Sequence, residues 1–183
     1  MYAVDIMVRE HEMITRMLKV MRSACLGILR GEAICYEDFE KMTKFVKHYA
    51  DDHHHGKEEK FLFKEMEANL GAVGQKLIRN GMLVEHDLGR LYITQLKEAL
   101  ERVKAGDEES KLDVIANAVG YTDLLTRHIA KENQVVYSFA DKQLSEEIKA
   151  LINQQTEEFE AVATAAGTQD YYLGLLAELE QKY

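Results

Sequence analysis

Residues 4–28, VDIMVREHEMITRMLKVMRSACLGI, decide how the chain is read. Val4, Met7, His11, Ile14, Leu18, Met21, Cys25 and Ile28 recur at alternating spacings of three and four, which puts them on one side of an α-helix. His11 is the only strongly polar member of that seam. Gly31 follows, where a glycine commonly closes a helix.

Comparable seams continue along the chain. A second helix over 36–69 carries Phe39, Met42, Val46, Ala50, Phe61 and Leu62 inward and closes at Asn69-Leu70-Gly71. Gly71, Gly74 and Gly81 predict an irregular stretch, or at least a weak start to the third helix. From Met82 the pattern resumes as Met82, His86, Gly89, Ile93, Leu96, Leu100 and Val103, and Ala105-Gly106-Asp107 supplies a turn. A fourth helix over 108–140 carries Val114, Ala118, Tyr121, Leu125, His128, Glu132, Val135 and Phe139. Residues 144–165 and 169–181 read as two shorter helices, and no stretch reads as a strand. The expectation is an all-α chain: an antiparallel up-and-down four-helix bundle over 1–140, with a helical extension over 141–183 packed on it or at an interface.

Composition sets outer bounds. The 183 residues are 46% hydrophobic and 30% charged, a globular balance. No apolar run approaches the roughly 18–20 residues of a membrane span, and Arg9, His11, Arg16 and Lys19 argue against a secretory signal. The net charge of −9 has the wrong sign for a dedicated nucleic-acid binder. Cys25 and Cys35 form no Cys-x-x-Cys pair and read as reduced thiols in a cytoplasm. The absence of proline permits long unbroken helices.

The seven histidines are more informative. Helices one, three and four each carry one at a position suited to an aliphatic side chain. His128 and Glu132 stand one turn apart on a shared face, and His54 and Glu58 repeat that spacing. His54-His55-Gly56-Lys57-Glu58 echoes His128-Ile129-Ala130-Lys131-Glu132. His11 precedes His54 by 43 residues, and His86 precedes His128 by 42. At 100° per residue from Phe39, His54 and Glu58 fall at about 60° and about 100°, beside Ala50 and Phe61, whereas His55 and Glu59 fall at about 160° and about 200°. His55 and Glu59 are therefore expected on the outer side, and His48, His53 and His55 as surface groups or supports. Tyr121 shares a face with His128; core packing is its expected role, with approach to a metal as the alternative.

Carboxylates in a bundle core require a compensating cation. Four imidazoles and two carboxylates without thiolate suit iron, manganese or zinc. Two carboxylates from opposite halves can bridge a pair of ions that keep open positions for water or a small ligand.

The text Arg9-Glu10-His11-Glu12, His54 through Phe63, Glu85-His86-Asp87-Leu88-Gly89-Arg90 and His128 through Glu132 resembles the hemerythrin-like family, over about residues 1–140. The resemblance implies a four-helix bundle with two iron ions, as an oxo- or hydroxo-bridged pair in one form. It implies that Glu58 and Glu132 bridge the ions while His11, His54, His86 and His128 bind terminally. Oxygen-carrying hemerythrins have a fifth histidine one turn from the third-helix histidine and one more residue between the fourth-helix histidine and carboxylate. Here Met82 and Arg90 stand four residues from His86. The functional expectation is a cytoplasmic di-iron protein that binds or senses oxygen, peroxide or nitric oxide, or handles iron. A peroxide-detoxifying di-iron enzyme and, behind it, a metal-free interaction module are the alternatives. Expected partners are the small ligand and a second copy or another protein at the C-terminal helices, not nucleic acid or membrane.

Overall fold

The apolar seams demand burial against one another, and the computed structural model, which describes residues 1–183, satisfies them with helices alone. We number these α1 (Tyr2–Leu29), α2 (36–69), α3 (71–104), α4 (111–143), α5 (Glu146–Ala165) and α6 (Thr168–Glu180). A short 3₁₀ turn, Glu108–Ser110, leads into α4. α3 packs along α4, α4 along α1, and α1 against α2, and the short connections turn the chain back each time. None of the helices is long and apolar enough to cross a membrane.

The buried side chains form two apolar clusters at different heights. The larger contains Ile14, Leu18, Met21, Phe45, Ala50, Ile93, Leu96, Ala118 and Leu125. The smaller contains Met7, Leu62, Phe63, Met66, Met82, Val136 and Tyr137. The last two helices share in both: Leu175, Leu176 and Leu179 of α6 enter the larger, and Ile152 of α5 enters the smaller. Ser145 caps α5 by accepting a hydrogen bond from the Ile148 amide.

Two local expectations need correction. The glycine-containing stretch after residue 70 is helical from Gly71 onward. Gly71 makes the reversal between α2 and α3 with a φ of +58°, and Gly74 lets the two helices close up. A Cβ on Gly74 would meet the Met66 carbonyl oxygen at 2.6 Å. Tertiary packing thus overrides poor local propensity. On α4, Val135 is exposed, while Val136 and Ala140 are buried. Residues Glu132–Val136 form a π turn, whose i→i+5 hydrogen bonds fit extra backbone into one turn and advance the inward face by one position.

Gly74→Ala should lower stability by about 1–3 kcal/mol through this backbone clash. Gly81→Ala, in a helical segment with open space around the position, should raise it by about 0.5–1 kcal/mol. Urea unfolding of the two metal-free variants against the parent checks both signs.

Candidate metal centre

Each bundle helix crosses a polar layer between the two apolar clusters. His11 lies between Met7 and Ile14, His54 and Glu58 between Ala50 and Leu62, His86 between Met82 and Ile93, and His128 and Glu132 between Leu125 and Val136. All six are buried, both carboxylates completely. Their donor atoms, joined by those of His55, gather in two groups that share Glu58: His11, His54, Glu58 and Glu132, and His55, Glu58, His86 and His128. Within each group one ligand atom per residue lies within 4.8 Å of the others, close enough for a single ion to hold them.

Each of the four histidines turns Nδ1 outward to a fixed acceptor. His54 donates to Glu10 at 2.8 Å, His86 to Glu59 at 2.7 Å, His128 to Glu85 at 2.9 Å and His11 to Asn133 Oδ1 at 2.8 Å. Only a protonated Nδ1 satisfies these acceptors, which leaves Nε2 facing the layer, as metal-binding histidines require. The contacts run in a ring: α1 orients the α2 histidine, α2 that of α3, α3 that of α4, and α4 that of α1. Each acceptor is the chain neighbour of a candidate ligand on its own helix. Glu10, Glu59, Glu85 and Asn133 carried no role in the sequence reading; their adjacency to the inward residues was the available signal.

Inside the ring the polar atoms lack partners. His11 Nε2, His54 Nε2, Glu58 Oε2 and both Glu132 oxygens are buried without a hydrogen bond. The Nε2 atoms of His86 and His128 are 3.1 Å apart, which requires a proton or cation between them. Glu132 Oε1 lies 3.0 Å from His128 Nε2, and Glu132 Oε2 lies 3.2 Å from His11 Nε2. Tyr137 donates to Glu58 Oε1 at 2.6 Å. Burial, reinforced by the charge of Glu132, pushes the Glu58 carboxyl well above the usual carboxylate range. Burial also penalises Glu132, but the charge of His128 and the close imidazoles of His11 and His86 outweigh it and hold that carboxyl low. Burial and the neighbouring His11 bring His54 down to about 4, which keeps it a neutral donor. The donor set fits a divalent or trivalent cation.

The outer assignment of His55 is corrected by this geometry. His55 is buried and stacks on His86 with ring centroids 3.7 Å apart. Glu59 is half-buried at the layer rather than free in solvent. The cause is the backbone: Val46–His55 and Glu58–Phe63 are π-helical, so the 100° increment overstates the rotation and adjacent residues both face inward. His53 is also buried, but with Glu10 and Glu160 it surrounds the fully buried Lys57, whose ammonium already supplies the cation that this cluster needs. His48 is half-exposed and pairs with Asp52. Tyr121 packs in the larger cluster with its hydroxyl unpartnered.

An all-helical chain with buried histidines and carboxylates meeting between two apolar clusters is a metal-binding helical protein. The family model of the hemerythrin HHE cation-binding domain matches residues 2–140, and the chain belongs to that family. No curated protein and no solved structure matches the chain.

Glu58 has a folded-state pKa above its unfolded value of about 4.3. Its contribution to the stability of the metal-free protein is full below that value and is lost as pH rises through the folded pKa. Glu58→Gln should remove this loss, keep the Tyr137 hydrogen bond and make the metal-free protein more stable at pH 8. The same variant should lose most of the stabilisation by metal, which for the parent is about 2.7 kcal/mol when free metal exceeds Kd 100-fold. Denaturation with chelator and with metal, at pH 6 and pH 8, reads both effects.

Proposed function

We propose that the chain is a non-haem di-iron protein that binds or reacts with a small redox ligand such as oxygen, peroxide or nitric oxide, serving sensing, iron handling or detoxification. The observation that carries this reading is the pair of buried donor groups with Glu58 in common and unpartnered atoms turned inward. His11, His54, His86 and His128 are the proposed terminal ligands, and Glu58 and Glu132 the proposed shared carboxylates. Iron would supply one-electron chemistry and exchangeable positions for the small ligand.

The protein's part is neutralisation, orientation and exclusion of water. Glu132 brings negative charge to both groups, and Tyr137 holds one oxygen of Glu58 so that the other faces the layer. The ring of Nδ1 acceptors fixes each imidazole before any ion arrives, which lowers the reorganisation that binding requires. The flanking apolar clusters keep bulk water from the layer. A cavity of about 270 Å³ beside it, lined by Asp51, His55, His86, Gly89, Arg90 and Tyr121, leaves room for a small ligand next to the layer. Cys25 and Cys35 are unpaired, which suits a reducing compartment such as the cytoplasm.

Reconstitution with ferrous iron should give two ions per chain, with an absorption spectrum that changes on adding nitric oxide or peroxide. His54→Ala and Glu132→Ala should each hold one ion or fewer. Less than one iron per chain in the parent, with no spectral response, would overturn the proposal. Peroxide consumption by the iron-loaded parent and by Glu58→Ala separates turnover from binding: equal rates remove the enzyme reading.

A further inference from the structure

Five histidines reach the polar layer, one more than the sequence spacing suggests. We propose that His55 is itself a metal ligand, joining His86 and His128 on the second of the two ions. This rests on the two-ion reading above and goes beyond it in assigning a fifth histidine ligand, which makes the two positions unequal.

The burial and contacts of His55 are those of a ligand. The residue is only 4% exposed, and neither ring nitrogen has a hydrogen-bond partner. Leaving a buried polar nitrogen unpaired costs about 1–3 kcal/mol, so an imidazole with two of them needs an explanation. A ring nitrogen of His55 lies within 4.8 Å of donor atoms from Glu58, His86 and His128, and its ring centroid is 5.8 Å from that of His128. Hydrophobic packing alone would be served better by leucine or phenylalanine at this position.

His55 also has an oriented support, as the other four have. Asp51 Oδ1 lies 3.5 Å from His55 Nδ1, one turn earlier on the same helix. That contact is beyond good hydrogen-bond length, and a small rotation of the ring toward an ion on its other nitrogen would close it. Asp51 is itself fixed by Arg90 at 2.7 Å and Lys47 at 3.0 Å. Arg90, one turn from His86, bonds to Asp51 and Glu59, the carboxylates behind His55 and His86. The π-helical course of 46–55 permits this arrangement, because it lets His54 and His55 serve different ions from adjacent positions.

The resulting division is two histidines, His11 and His54, at one position and three, His55, His86 and His128, at the other. The second position should hold its ion more tightly.

The test uses the full chain loaded with Co(II), counting metal per chain after gel filtration and measuring dissociation constants, with circular dichroism as the check on folding. The parent should hold two ions. His55→Ala should lose one of them, or bind it at least about 10-fold more weakly. Added imidazole should restore that ion in His55→Gly, and His48→Ala on the exposed face of the same helix should match the parent. Should His55→Ala fail to fold, proton NMR of the Co(II)-loaded parent decides independently: five exchangeable imidazole N–H signals shifted by cobalt are expected, and four would overturn the assignment. Two ions held with parental affinity by His55→Ala would overturn it while leaving the two-ion reading intact. A parent that binds no metal would overturn both.

Discussion

Two carboxylates and five imidazoles stand in a layer from which water is excluded on both sides, and everything else in the bundle answers to that constraint. Without a cation the layer is poor in free energy. One carboxyl is forced toward its neutral form, two imidazole nitrogens oppose each other at 3.1 Å, and several polar atoms have no partner. Aliphatic side chains there would pack better and would join the two apolar clusters into one. A cation between the groups resolves the mismatches together, which is the physical content of membership in the HHE cation-binding family.

The fold supplies what a rigid ligand set needs. Four helices cross the layer, and each holds the imidazole of the next through a carboxylate or amide adjacent to its own ligand. This closed ring ties the helices laterally at the level where the apolar packing is interrupted. The C-terminal helices are joined to the same network: Glu160 on α5 contacts the buried Lys57, and Lys57 contacts Glu10, the support of His54. Lys57 shows the alternative solution to buried carboxylates, an ammonium carried by the chain itself. The central layer has no lysine or arginine within it.

The fold was legible wherever the helices keep their ordinary period. The seam of α1, which has no π segment, was read residue by residue, and the inward places of His86, His128 and Glu132 followed from the same spacing. Errors begin where the backbone widens. A regular period turns His55 outward where two π stretches of α2 bring it in, and turns Val135 inward where the π turn beginning at Glu132 puts it out. A fixed angular increment cannot register such turns, and nothing in their residue types announces them. The supports were illegible for another reason. Glu10, Glu59 and Glu85 look like solvated charges in sequence, and only the packing of one helix against the next gives them an imidazole to hold.

The most direct measurement is anomalous diffraction at the iron absorption edge from crystals of the iron-loaded protein. Two peaks are predicted inside the layer, one beside His11 and His54 and the other beside His86 and His128, with Glu58 reaching both. A layer without anomalous density, or a peak only at the Glu10–His53–Glu160 cluster in place of the Lys57 ammonium, would contradict the account.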